Sequence, residues 1–368
     1  MKSLDVVSSK KNELKGLGDG SLVDGFRLTS NTFKIGSATN RNQTFFDVFD
    51  PKANLSPKIG VVIDGIIGYD LFKDFVVEIN YMKQYIRLYD PENYKYRKCN
   101  SCEVFDLEFE KNKPYLNAEI QIKDDLIPVK LLVDSVSGDA LWLFEDENKR
   151  IVNQKKYFKD FLGYGLSGDI YGRRTKIESF RLKSNVFKNP KVAFLDSLTA
   201  ALVKKFKNRD GAIGGAILKR FNSIIGYSKG KVVLKKNSNF NDEFSYNKSG
   251  LHIEHKGMRL MAMVTLDNAY LNSDRFGSSL KNKKKRNYEF TVKPSYEINK
   301  VMEDTPGYLA GLRKGDVIFC INGKNTIDMS LEEVVAYFYN KEGKKIKLEV
   351  NRYGVDRTFE FVLKSPMK

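Results

Sequence analysis

The chain repeats itself at a fixed interval, and this restricts its fold more than any single motif does. Asp64-Gly65-Ile66-Ile67-Gly68 returns as Asp210-Gly211-Ala212-Ile213-Gly214, an offset of 210 − 64 = 146. At the same offset Lys73 meets Lys219, Phe75 meets Phe221, Ile79 meets Ile225, Tyr81 meets Tyr227 and Leu88 meets Leu234. Each copy predicts a short helix after its glycine and then two strands, near 76–79 and 85–89 in the first, near 223–227 and 231–234 in the second. Further upstream, Lys15-Gly16-Leu17-Gly18 stands against Leu162-Gly163-Tyr164-Gly165, and Gly25 against Gly172, at 163 − 16 = 147. Both glycine-rich stretches read as hairpins with room for close backbone approach. Two similar halves in tandem are expected, built largely of strands.

In the second half the order is complete. Val104 to Phe109 and Tyr115 to Ile122 predict a hairpin around Lys111-Asn112-Lys113-Pro114. Leu126 to Val133 then runs as an apolar strand into Asp134, with Ser135-Val136-Ser137 directly after. A carboxylate at the end of a buried strand costs free energy unless something uses it. The plain alternative is a turn cap, a role that Asp and Ser both fill. Ala140 to Phe144 returns as an apolar strand, with Trp142 expected in the core. Subtracting the repeat offset from 134 gives 134 − 147 = −13. The counterpart of Asp134 is therefore expected upstream of residue 1, and the chain is expected to begin partway through its first half.

Several chemistries are poorly supplied. Only His252 and His255 are present, and their spacing does not suit a helical metal pair, so a Ser-His or Cys-His hydrolase lacks a base. Hydrolytic chemistry is left to carboxylates. Cys99 and Cys102 form a Cys-x-x-Cys with no second pair to complete a zinc site, which leaves a local disulfide or two idle thiols. Neither a metal nor a cofactor is expected. Net charge is +17, but the excess is scattered as single lysines on solvated faces. The densest run, Lys281-Asn282-Lys283-Lys284-Lys285-Arg286, has no aromatic platform beside it and reads as linker, so nucleic acid is not an expected partner. No apolar stretch is long enough for a transmembrane helix, and Met1 to Asp5 lacks a signal-peptide core.

Taken together, Asp134-Ser135, the hairpin around Gly165-Leu166-Ser167-Gly168, Ala212-Ile213-Gly214, and their first-half counterparts Gly16-Leu17-Gly18 and Ile66-Ile67-Gly68 resemble the pepsin/retropepsin family of aspartic proteases. The resemblance is to bacterial two-lobe forms with a C-terminal PDZ domain. It implies two pseudo-symmetric β-barrel lobes, an incomplete one at 1–98 and a second at 99–240. It also implies endopeptidase activity by a water held between two aspartates, one of them Asp134, oriented by Ser135. Gly16, Leu17 and Gly18 would form one flap tip over a protein or peptide substrate, and Gly165, Leu166, Ser167 and Gly168 the other. In such a dyad the like charges share one proton. The sequence departs from the pattern in lacking the partner aspartate and in placing Val136 where the motif has glycine, a strained choice if φ there is positive. A trimmed start, self-pairing of two chains, or a peptide binder that has lost catalysis would each fit. Relatives of this kind are exported, so a periplasmic or extracellular location is implied although no signal peptide is present.

Beyond residue 288 the composition shifts. Glu303 to Gly307, Ala310-Gly311-Leu312, Gly315-Asp316-Val317-Ile318 and Ile321-Asn322-Gly323 resemble an α/β PDZ domain over 288–368, with 241–287 as connector. Ser330 and Glu333 form a capping box for a helix with Leu331, Val334, Val335 and Phe338 on its apolar face. A PDZ domain takes an extended or C-terminal peptide by strand addition. The groove is expected between Tyr296 to Val301 and that helix, with Tyr296, Glu297, Ile298 and Val334 at its walls.

Overall fold

The structure is a computed structural model, and it describes residues 9–18, 22–48, 50–196, 209–266 and 286–367. The basic run at 281–285 and the start at 1–5 lie outside the described residues. The protein is mostly β. It divides into two compact units: a smaller one of Leu55–Val62 with Asn247–Lys364, and a larger one comprising the rest.

In the larger unit the first half supplies a three-stranded antiparallel sheet, β1 (Ser9–Leu14), β2 (Val23–Ile35) and β3 (Ala38–Val48). It then supplies the hairpin β4 (Val76–Asn80) and β5 (Tyr85–Tyr89). The second half opens with β6 (Cys102–Asp106), β7 (Glu108–Glu110), β8 (Lys113–Ile122) and β9 (Asp125–Asp134). Next come β10 (Leu141–Leu143), β11 (Phe158–Gly165), β12 (Gly168–Lys176), β13 (Ser179–Leu182), β14 (Asn185–Lys188) and β15 (Lys191–Leu195). The half closes with β16 (Gly211–Gly214), β17 (Phe221–Gly226) and β18 (Lys231–Lys236). Strands β7 to β16 form one ten-stranded sheet around a core that includes Leu116, Ile120, Leu131, Leu141, Phe180 and Phe221, all fully or almost fully buried. Removing such side chains from water drives the collapse, at about 25 cal/mol per Å² of apolar surface. The described ladders leave these sheets open; no barrel closes among the described residues.

The repeat becomes physical in the remaining sheet, ordered β5-β4-β17-β18-β6. Strands β4 and β17 are repeat counterparts and pair antiparallel, with Glu78 opposite Ile224. Since 224 − 78 = 146, each of these two residues faces its own repeat equivalent, and a local two-fold relation passes between them. The halves meet in one sheet, so the boundary expected at 98/99 does not separate two compact units.

The smaller unit is a five-strand path, β19 (Leu251–Leu266), β20 (Arg286–Val301), β21 (Val317–Ile321), β23 (Lys345–Arg352) and β24 (Val355–Val362), with β22 (Lys324–Asn325) on β21. The connector expected over 241–287 is corrected here: Leu251 and Ile253 belong to this unit's core, together with Ile298, Ile318 and Leu348. The helix Leu331–Ala336 carries the expected capping box, with Ser330 Oγ accepting from the Glu333 amide at 3.2 Å and Glu333 accepting from the Ser330 amide at 2.7 Å.

Candidate active site

Strand β9 delivers Asp134 beside β16, its parallel partner, with Gly214 opposite Asp134. The loop after Asp134 is stitched to the turn after β16. Gly214 N donates to Ala140 O at 3.0 Å, Gly215 N to Ser137 O at 2.6 Å, and Ala216 N to Asp139 O at 3.1 Å. A side chain at Gly214 would run into the Asp139 carbonyl, which is why glycine closes the Ala212-Ile213-Gly214 motif. Asp134 Oδ1 accepts from the amides of Val136 at 3.1 Å and Ser137 at 3.2 Å. These backbone donors orient the carboxylate, while Ser135, expected to do so through its hydroxyl, is exposed. Val136 does not take a positive φ and its side chain is 63% exposed, so valine stands at the motif's glycine position without left-handed strain. Lys113 and Arg209 both feel the Asp134 charge. Burial pushes each of these cations below its ordinary range, and Asp134 opposes that shift.

Beneath this loop lies a charged cluster that sequence reasoning missed. Asp139 is buried, receives the Trp142 indole N–H at 2.7 Å, and pairs with Arg174. Arg174 also reaches Asp160 at 2.6 Å, and Lys191 stands 3.8 Å from Asp139. Burial raises the Asp139 carboxyl, but Arg174 and Lys191 outweigh it and hold the group below its usual range. Burial lowers the Lys191 ammonium more than Asp139 can restore. The available signal was Asp139 itself, a charge followed at once by the buried strand Leu141–Leu143.

The two glycine hairpins come together. The turn between β11 and β12, with Gly165 opposite Gly168, meets residues 16–18 after β1. Gly16 N donates to Ser167 Oγ at 3.0 Å and Ser167 N donates to Leu17 O at 3.1 Å. Ser167 is buried there. Gly18 and Gly168 take φ of 134° and 121°, where a Cβ is disfavoured. A side chain at Gly165 would collide with the Leu17 carbonyl and one at Gly16 with Leu166. Leu17 packs against Ile170 and Leu195, and Trp142, which bonds Asp139, packs against the same pair.

In the first half the match is incomplete. Gly68 precedes the helix Tyr69–Phe72, just as Gly214 precedes the helix Gly215–Leu218. Yet Ile66 and Ile67 are exposed and lie outside any strand, whereas Ala212 and Ile213 are buried in β16. Cys99 and Cys102 form a disulfide. Among the described residues no group of His, Cys, Asp or Glu is placed to hold a metal ion.

In the smaller unit, the expected peptide-groove residues sit elsewhere than at an open edge. Tyr296 and Ile298 are buried in β20, which pairs with β19 through Ile298–Ile253 and with β21 through Tyr296–Ile318. A strand paired on both sides cannot add another. The Tyr296 hydroxyl donates to Met329 O, Glu297 pairs with Lys256, and Val334 is fully buried. The edge belongs instead to β19, beside which the helix Leu331–Ala336 packs. The turn leading into β19 is ordered by Asn247, whose Oδ1 accepts from Ser249 N at 2.9 Å and Ser249 Oγ at 2.8 Å. Sequence reading missed this strand because His252, Glu254 and His255 make it look like a polar connector.

Residues 297–352 match the PDZ family profile. The C-terminal module is a PDZ domain. Around it, the chain is 43% identical over 61 residues to a protein of Lactococcus lactis that bears a zinc metalloprotease name, which is 17% of this chain and 14% of that one. It is 41% identical over 54 residues to the carboxy-terminal processing protease CtpA of Bacillus subtilis, 15% of this chain and 12% of that one. The chain thus spans about one eighth of the length of each curated relative. Among solved structures, a retropepsin-like aspartic protease from Rickettsia conorii overlaps 36% of this chain and 98% of its own, at 18% identity and a TM-score of 0.26. The HtrA-type protease AlgW with a decapeptide overlaps 89% and 86%, at 12% identity and a TM-score of 0.21. Similarity at that level carries no argument for fold or activity.

Proposed function

We propose that the larger unit is an aspartic-endopeptidase scaffold in which Asp134 is one of two carboxylates that activate a water against a peptide bond. The PDZ domain, in this reading, recruits or positions the polypeptide. The observation that carries it is the Asp134 loop: a carboxylate at a strand end, held by two backbone amides and locked to a parallel apolar-apolar-Gly strand. Two glycine hairpins that close tip to tip add a means of covering an extended substrate and excluding bulk water. The ionised member of such a pair takes a proton from water while the protonated member polarises the carbonyl. An exported location agrees with the Cys99–Cys102 disulfide, since such bonds persist in oxidising compartments.

A second reading, a peptide-binding protein without hydrolysis, is favoured by Lys113 and Arg209, two partly buried cations whose charges interact with Asp134. Incubation of the protein with an unfolded polypeptide between pH 3 and pH 7, beside the Asp134→Asn variant, separates the two. Cleavage that the variant loses supports the endopeptidase. Cleavage that survives in Asp134→Asn refutes the role of Asp134. Binding without cleavage in both proteins selects the second reading.

A further inference from the structure

Eight residues that precede the Ile66-Ile67-Gly68 motif do not belong to the larger unit. Leu55–Val62 is part of the PDZ unit, although residues 54 and 63 on either side of it are not. Its helix Ser56–Ile59 packs on β19. Gly60 ends that helix with φ 83°, its amide bonded to Ser56 O at 2.8 Å, and a Cβ there would lie 2.5 Å from Leu331 Cβ. Leu331 begins the helix that packs along β19. The segment therefore touches both elements that would hold an extended peptide: the strand edge, which no other strand covers among the described residues, and the helix beside it.

We propose that Leu55–Val62 is a built-in occupant of the PDZ groove, which an incoming apolar peptide must displace. This rests on the reading that β19 and the helix Leu331–Ala336 form the peptide site. The composition suits the role, since Leu55, Pro57, Ile59, Val61 and Val62 give it the apolar character of a groove ligand. Its hold is weak by design: no residue of its helix is buried, Ile59 is 50% exposed and Val62 is 81% exposed. A contact that buries so little apolar surface yields to a competitor that fills the groove better. An external peptide then meets a site open only part of the time, and its apparent affinity falls by that open fraction.

Two variants of the full chain test this. Gly60→Val places a side chain against Leu331, and Pro57→Gly with Ile59→Ser removes apolar contact while leaving Gly60 in place. Amide hydrogen exchange over Leu251–His255 is measured without ligand. Binding is measured with a fluorescein-labelled decapeptide ending in Ile-Val, as the free acid and as the amide. Exchange about tenfold faster in both variants, with the free-acid peptide bound about fivefold tighter than by the parent chain, is the expected result. Unchanged exchange in both variants overturns the occupant. Faster exchange with no peptide binding by either variant overturns the groove reading and, with it, the competition proposed here.

Discussion

Replacing Arg174 by Met probes the support under the Asp134 loop. Its side chain is 12% exposed, and its guanidinium joins the carboxylates of Asp139 and Asp160, whose side chains are 8% and 10% exposed. Removing one partner of a buried ion pair costs about 3–5 kcal/mol, because the charge left behind loses its compensation without regaining water. Lys191, 3.8 Å from Asp139, supplies part of the missing charge. The expected loss is therefore near the lower end, about 3 kcal/mol, or roughly a hundredfold in the folded-to-unfolded ratio. The readout is intrinsic: Trp142 is the chain's one tryptophan, and its indole donates to Asp139. Urea unfolding followed by tryptophan fluorescence should show an earlier midpoint and an altered native emission. Adding Asp139→Asn and Asp160→Asn to Arg174→Met removes the stranded charges and should recover most of the loss. A single variant that loses under about 1 kcal/mol, or a triple variant no more stable than the single one, would refute the reasoning.

Acid should act at the same place. The folded pKa of Asp139 lies below its ordinary value of 3.8, so this group's contribution is complete above about pH 4 and is lost as pH falls through the folded value; an acid titration of Trp142 emission checks it. Alkali should act through Tyr246, whose hydroxyl donates to Thr175 O at 2.7 Å and whose burial raises its pKa above 10. Stability should hold below pH 10 and decline above it, and Tyr246→Phe should flatten that decline in a pH series of urea midpoints. Gly165→Ala should part the hairpin tips, seen as faster exchange of the Ser167 amide, while unchanged exchange would mean that the tips do not depend on that close approach. Glu333→Ala removes one side of the capping box and should lower the midpoint of the PDZ domain's thermal unfolding.

What was legible in the chain follows from range. The repeat, the apolar run into Asp134, the glycine hairpins and the Ser330–Glu333 box are local patterns, and each period or spacing survives folding unchanged. Partner choice is not local. Nothing in Tyr296-Glu297-Ile298 reveals that β20 is covered on both sides, because an interior strand and a one-sided edge strand can share the same alternation. Leu251 and Ile253 were hidden by the polar residues between them, which is how an edge strand facing water on one side reads. The Asp139–Arg174–Asp160 cluster draws on β11, β12 and the loop after Asp134, and its charges only make sense once those elements are adjacent. Val136 looked costly because the family pattern has glycine there, yet the backbone it occupies is one that any residue can adopt.

The pairing of β4 with β17 has a consequence for synthesis. Glu78 must wait for Ile224, 146 positions later, before its strand has a neighbour on that side. A ribosome adding about 5–20 residues per second needs roughly 7–30 s to deliver it. Throughout that interval the β4–β5 hairpin presents an open edge with Val76 and Val77 unshielded, which is a target for chaperones or for mispairing between nascent chains.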